Sequence, residues 1–241
     1  MIVLLTDFGH SEYVGVMKGV IYSINEDARI VDLCHDISPQ SVIEASWILK
    51  NNYRYFPAGA IFCCVVDPGV GAERKALGVK APDYYFVAPD NGLLWEALKE
   101  QKIIEMRVIP IPEDASRTFH GRDVFAKAAA NIYLCRFDTL GPPTEEIKKL
   151  ELYRNERVGT VVRIARFGNI ITNLPSEGKS TYSVKVQERS CRMCFYCNYE
   201  TAAENALFLI EGSCKTLEIS LKNGNANERF QLETGQRIQI A

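Results

Sequence analysis

Short apolar runs that stop abruptly at a polar turn recur through the first half of the chain, and no other feature limits its fold as much. Ile2–Thr6 ends in Asp7-Phe8-Gly9, and residues 61–66 end in Asp67-Pro68-Gly69-Val70-Gly71. Residues 84–88 lead into Pro89-Asp90-Asn91-Gly92. A run that is apolar at every position, rather than at every second one, reads as a buried strand. Between the runs lie stretches with helical spacing, such as Val16, Val20 and Ile24. Ser41-Val42-Ile43-Glu44 has capping-box spacing and predicts a helix to about Asn52. Strands alternating with helices define an α/β layer structure.

The remaining elements follow the same logic. Further strands are expected at residues 76–81 and 103–109, a short helix at 93–99 and an Ala-rich helix at 123–134. Gly141-Pro142-Pro143 then breaks the pattern, and a charged stretch from 145 to 157 leads to a different texture. From residue 158 onward short strands dominate: 158–164, 170–173, 182–186, 207–210, 217–221 and 237–240. The expectation is an α/β domain over 1–150 followed by a small all-β barrel or sandwich over 151–241. A chain of 241 residues is long enough for one large and one small domain.

Composition narrows the partners. The net charge of -2 provides no broad basic field for a phosphate backbone, which argues against nucleic acid. No apolar segment approaches the roughly 18 residues that span a bilayer, which argues against a membrane partner. The N-terminal run has no basic flank and reads as a first strand rather than a signal peptide, so a cytoplasmic protein is expected. Of the eight cysteines, Cys34, Cys63, Cys64 and Cys135 fall in apolar runs and read as small buried hydrophobes.

Asp7, Asp67 and Asn91 each follow a predicted strand, and ligands of open α/β sheets bind at the carboxyl ends of strands. Asp and Asn are also ordinary turn residues, so it is the recurrence, with a Gly-rich segment after Asp67, that points to a site. Arg74 follows Asp67 closely enough for a guanidinium–carboxylate pair. His120 precedes the Ala-rich helix, where it is either a cap or a proton acceptor. His10 reads as solvated, and His35-Asp36 as a local pair.

Leu5-Thr6-Asp7-Phe8-Gly9, Tyr13-Val14-Gly15 and Lys18-Gly19 resemble the opening of the adenosine-forming S-adenosyl-L-methionine (SAM) hydrolases, a family related to SAM-dependent fluorinases and chlorinases. The resemblance continues through Val65-Val66-Asp67-Pro68-Gly69-Val70-Gly71, Pro89-Asp90-Asn91-Gly92-Leu93-Leu94 and Thr118-Phe119-His120-Gly121-Arg122-Asp123. It extends to Arg166-Phe167-Gly168-Asn169 and Leu217-Glu218-Ile219, nearly the whole chain. It implies water attack on the ribose 5′ carbon of SAM, giving adenosine and methionine without a catalytic cofactor. By resemblance Asp67, Arg74 and His120 handle the water and Asp7 receives the ribose hydroxyls. Asn169 reads the adenine edge, Phe167 or Tyr199 packs on the ring, and Ser213 lies near the amino-acid end. A carboxylate at Asp67 repels halide, which disfavours halogenation. The family also implies a homotrimer, with the site between one subunit's first domain and its neighbour's second.

Two departures stand out. Ala165 occupies a position where the family carries an acid suited to the substrate's ammonium group, a contact worth about 1.5–3 kcal/mol. Cys191, Cys194 and Cys197 form a Cys-x-x-Cys-x-x-Cys array foreign to the family. Such an array suits a structural zinc or an iron–sulfur cluster, or is simply a cysteine-rich hairpin. These departures define a second reading, a non-hydrolytic SAM or nucleoside sensor with a cysteine-ligated metal. The intact trio favours the enzyme.

Overall fold

The computed structural model describes residues 1–241. β1 (Ile2–Thr6) is fully buried and accounts for its unbroken apolar run. Ile2 and Leu4 join a core with Val14, Met17 and Ile21 of α1 (Glu12–Ile24). Val3 and Leu5 point the other way, into a core with Ala45, Ile48 and Leu49 of α2 (Val42–Asn52). Both faces of the strand are covered, so the period-two signal of a half-exposed strand is absent.

Two units make up the chain, Met1–Glu151 and Leu152–Ala241. The first holds a six-stranded sheet of β2 (Ile30–Cys34), β1, β3 (Ala60–Val65), β5 (Tyr84–Pro89), β4 (Ala76–Lys80) and β6 (Glu105–Ile109), in that spatial order. β2, β1, β3 and β5 run parallel, while β4 is antiparallel to both of its neighbours. The chain leaves β1 through α1 toward β2 and returns through α2 to β3 on the other side of β1. The adjacent carboxyl ends of β1 and β3 therefore flank a topological switch point, where such sheets open a crevice. The outer edge of β6 is covered by the 142–144 segment: Val108 N donates to Pro142 O and Thr144 N to Met106 O, both at 2.9 Å. That pairing removes an exposed strand edge.

Ser41 Oγ accepts from Glu44 N at 3.3 Å, so the expected cap forms, whereas the Glu44 carboxylate accepts from Ser38 N at 3.1 Å. The short helix expected at 93–99 is regular only as α3 (Trp95–Leu98). The expected Ala-rich helix has two parts. Gly121–Phe125 is wound as a π-helix, with Ala126 N reaching back to Gly121 O, and α4 (Ala126–Tyr133) continues it. A wide turn of this kind inside a helix is a frequent mark of a functional site. Cys135 is exposed, contrary to expectation: the helix has ended and the residue has φ 59° in the left-handed region. Cys63 and Cys64 are fully buried as expected, and Cys34 is half-buried.

The second unit is an antiparallel sheet of seven strands ordered β10 (Arg189–Cys194), β9 (Thr181–Val186), β13 (Arg237–Ile240), β7 (Val158–Ile164), β8 (Ile170–Pro175), β12 (Thr216–Leu221) and β11 (Leu207–Glu211). Its ends approach one another through a bridge between Phe195 and Leu209, and Tyr196 N donates to Leu209 O at 2.9 Å. The result is a nearly closed barrel whose core includes Tyr182, Val184, Leu209, Ile219 and Ile238. β10 has no strand signature in sequence, because Met193 is its single buried side chain.

β10 also decides the fate of the cysteine array. Side chains alternate along a strand, so Cys191 falls on the face of Met193 and Cys194 on the opposite one. Cys197 follows the strand, and all three are exposed. No group of three His, Cys, Asp or Glu side chains is placed to hold a metal ion. The zinc or iron–sulfur expectation at Cys191, Cys194 and Cys197 does not fit this geometry, because x-x spacing converges thiolates in a tight turn and separates them in an extended strand. No helix is long and apolar enough to cross a membrane.

Candidate active site

The segment after β3 folds back on itself. Val70 N donates to Asp67 O at 3.2 Å, Ala72 N to Gly69 O at 3.1 Å and Arg74 N to Ala72 O at 2.8 Å. Gly71 is required for this path: φ is +78°, and a Cβ there would lie 2.4 Å from Arg117 O. The loop returns Arg74 to Asp67. Arg74 Nε donates to both carboxylate oxygens at 3.0 Å, and Nη2 makes a further short contact to Oδ2. The side chains are only 6 % exposed for Asp67 and 10 % for Arg74, so solvent screens this pair little.

Arg74 Nη2 also lies 2.8 Å from His120 Nδ1. A guanidinium can only donate, so Nδ1 accepts and the ring proton of the neutral imidazole resides on Nε2. His120 is buried just before the π-turn, and its pKa is lowered first by desolvation and then by the Arg74 charge. Both effects favour the neutral ring at pH 7. The Phe125 ring lies under the guanidinium at 5.2 Å, a cation–π contact that fixes its plane. Asp67, Arg74 and His120 thus form one chain of charge-assisted hydrogen bonds with Arg74 at its centre.

Asp7 is placed at the end of β1, and its Oδ2 accepts from Gln40 N at 2.8 Å. Its pKa is raised mainly by burial and further by the Asp67 charge, against the Gln40 hydrogen bond. Asp7, Phe8, Ser11, Tyr13, Gln40 and Asp67 line a cleft of about 390 Å³. Arg74 and His120 are not among its walls, so they back the Asp67 carboxylate rather than face the cavity. Phe8, Tyr13 and Phe119 form an aromatic cluster beside it, with centroids 4.8–5.8 Å apart.

The support beneath Asp7 was not legible in the sequence. His35 pairs with Asp32 at 3.1 Å, rather than with the adjacent Asp36, and its Nδ1 lies 2.8 Å from Thr6 Oγ1. Phe8 N donates to the same hydroxyl at 3.3 Å, so this relay clamps the Asp7-Phe8 turn. Asp36 instead lies 3.9 Å from the exposed His10. A histidine just past a strand, three residues after an acid, was the available signal. Asn91 is structural: its amide donates to Val66 O at 2.8 Å and accepts from Leu93 N at 3.1 Å.

In the second unit, Asn169 Nδ2 donates to the Tyr199 hydroxyl at 2.9 Å. Phe167 is 80 % exposed. These three residues share a mostly apolar cavity of about 650 Å³ with Arg166, Leu221 and Asn225. Gly168 has φ +84°, and Asn225 fills the space where a side chain would project. Ser213 lies apart, in the turn between β11 and β12.

A family model described as the SAM hydroxide adenosyltransferase N-terminal domain matches residues 2–140, and its C-terminal counterpart matches 159–239. The chain belongs to the SAM hydroxide adenosyltransferase family. Within it, an (R)-S-adenosyl-L-methionine hydrolase of Methanocaldococcus jannaschii is 35% identical over 100% of this chain and 95% of its own length. A fluorinase of Nocardia brasiliensis is more distant, at 27% identity over 72% of this chain and 71% of the relative. The solved structure of an uncharacterized conserved protein from Thermotoga maritima superposes with a TM-score of 0.91 at 33% identity, covering 100% of both chains.

Proposed function

We propose that this SAM hydroxide adenosyltransferase family member hydrolyses S-adenosyl-L-methionine to adenosine and L-methionine. The observation that carries the reading is the Asp67–Arg74–His120 chain at the switch point, with the Asp67 carboxylate facing a cleft also lined by Asp7. Near-full-length similarity to a named (R)-S-adenosyl-L-methionine hydrolase supports it. That name specifies the (R) sulfonium form, and we extend the preference to this chain.

In the reaction a water oxygen bonds to C5′ while the C5′–S bond breaks and its electron pair stays on sulfur. Methionine leaves as a neutral thioether, and one proton is released with adenosine. The leaving group needs no acid, so the protein's task is to hold and polarise the water. Asp67 accepts a hydrogen from it, Arg74 fixes the carboxylate's orientation, and His120 fixes Arg74 through Nδ1. The attacking oxygen gains positive character as it bonds, which an adjacent carboxylate favours. Asp7 accepts from the ribose hydroxyls, Asn169 reads the adenine edge, and Phe167 and Tyr199 cover the ring; Ser213 serves the amino-acid end. The mechanism needs no cofactor. We place the protein in the cytoplasm as a homotrimer without nucleic-acid or membrane partners, and a sedimentation mass other than three chains would refute that assembly.

The test is chromatography of protein incubated with each sulfonium epimer of SAM, beside Asp67→Ala. Equal adenosine and methionine from the unmutated protein, faster from the (R) form, is expected. The variant should still bind SAM but release neither product. Undiminished turnover by the variant removes Asp67 from the mechanism.

A further inference from the structure

Three contacts tie the turn that presents Asp7 to the segment following β2. Gly9 N donates to His35 O at 2.8 Å, and Gln40 N donates to Asp7 Oδ2 at the same distance. The third runs between side chains: the His35 ring meets Thr6 Oγ1 through Nδ1, also at 2.8 Å. Thr6 is the last residue of β1 and is fully buried, on a strand whose other side chains are all aliphatic. Its hydroxyl also accepts from Phe8 N, so one buried oxygen joins the ring to the backbone on the far side of Asp7.

The ring is itself held from behind. Nε2 faces Asp32 Oδ1 at 3.1 Å, an ion-pair contact rather than an aligned hydrogen bond. Lys18 Nζ of α1 donates to Asp32 Oδ2 at 2.6 Å. Burial works against the charge on Asp32, but Lys18 and His35 outweigh it and lower its pKa. A carboxylate beside Nε2 places the proton of a neutral ring on that nitrogen. Nδ1 is then the acceptor for the Thr6 hydroxyl proton, and the hydroxyl's lone pairs remain for Phe8 N. Lys18 and Asp32 are partly exposed, where an ion pair adds little stability. Their effect falls on the ring, whose tautomer and orientation they fix.

We propose that His35 is a positioning residue for sugar recognition. Through Thr6 it holds the Asp7 carboxylate at the angle that accepts both ribose hydroxyls, and so selects a ribosyl over a deoxyribosyl substrate. Two hydrogen bonds from neighbouring hydroxyls need the carboxylate edge within about 0.5 Å and 10–20° of one geometry. The turn backbone sets that edge, because Gln40 N already engages one carboxylate oxygen from the other side. The assignment rests on SAM being the substrate and on Asp7 meeting its ribose.

The test compares SAM with its 2′,3′-dideoxy analogue, which keeps the adenine, sulfonium and methionine portions. The wild-type enzyme should prefer SAM in kcat/KM by about tenfold to a hundredfold. His35→Ala should erase most of that preference through a raised KM for SAM, with the analogue used as before. His35→Asn, whose side-chain oxygen stands near the lost Nδ1 acceptor, should restore much of it. A merely structural role would slow both substrates equally and leave the ratio intact, which overturns the proposal. Should His35→Ala fail to fold, Thr6→Val removes the same contact in a nearly unchanged shape, and an intact ratio there also overturns it. So does equal use of both substrates by the wild type. A wild-type protein that releases no adenosine from SAM refutes the hydrolase reading instead. Calorimetry of the same two ligands on wild type and Thr6→Val then decides the role of His35. A preference that is absent from the wild type, or that survives the substitution, overturns it.

Discussion

Arg74→Lys keeps the charge at the centre of the site but removes its geometry. Arg74 reaches both oxygens of Asp67 through two nitrogens while donating to His120 Nδ1, and its plane rests on Phe125. A lysine ammonium is a single point on a flexible stem and cannot serve the carboxylate and the imidazole from that plane. At least one charge-assisted hydrogen bond between nearly buried partners is lost, and His120 Nδ1 keeps no donor. The cost in folding stability is about 2–3 kcal/mol, a fall in melting temperature of roughly 5–10 °C for a domain of this size. Activity should suffer more, because a carboxylate displaced by about 1 Å misplaces the attacking water, a loss on the order of a hundredfold in kcat. KM for SAM should change little, since Asp7, Asn169 and Tyr199 are untouched. Stopped chromatographic assays for adenosine, with a thermal melt of the same sample, measure both quantities. A lysine variant with kcat within threefold of wild type refutes the view that Arg74 acts by fixing orientation.

Three further outcomes are expected. Because burial raises the Asp7 pKa, kcat/KM should fall with decreasing pH through an acid limb lying above the ordinary carboxylate range of about 3.9. Below the limb Asp7 is protonated and has lost acceptor capacity; Asp7→Asn should lower kcat/KM at every pH and abolish this limb, and a limb that persists in the variant assigns it elsewhere. Gly71→Ala should destabilise the protein by roughly 2–4 kcal/mol, from the clash with Arg117 O and the left-handed backbone, and an unchanged denaturation midpoint would contradict the loop geometry. Replacing Cys191, Cys194 and Cys197 together by serine should leave melting temperature and turnover within error; stoichiometric zinc or iron in anaerobically purified protein would reverse the structural reading of that array.

Most elements of the first unit are legible because an apolar run with both faces buried has few alternatives. The pairing of Asp67 with Arg74 is legible too, since a short Gly-rich loop joins them. The contact of Arg74 with His120 is not, because it depends on α4 packing beside β3 and on a π-turn that rotates the helix entrance. His35 illustrates a different limit: two acids lie within reach of it in sequence or space, and local order favoured Asp36, whereas the extended end of β2 turned the ring to Asp32 and the Thr6 hydroxyl. The sequence left the cysteine array open between a metal site and a cysteine-rich hairpin, because ligand spacing is informative only when the backbone geometry is known, and β10 is extended.

The sequence by itself determined where strands end and which polar residues occupy those ends, because a buried apolar run and the turn that stops it are local matters of solvation and backbone freedom. Sheet order belongs to the tertiary structure. β1 and β3 became neighbours only when α1 and α2 covered opposite faces of the sheet, and that packing brought Asp7 and Asp67 to one cleft. Likewise His35 reaches Thr6 only after β1 and β2 pair, since registry between strands distant in sequence is set by cooperative burial of the core rather than by either strand alone.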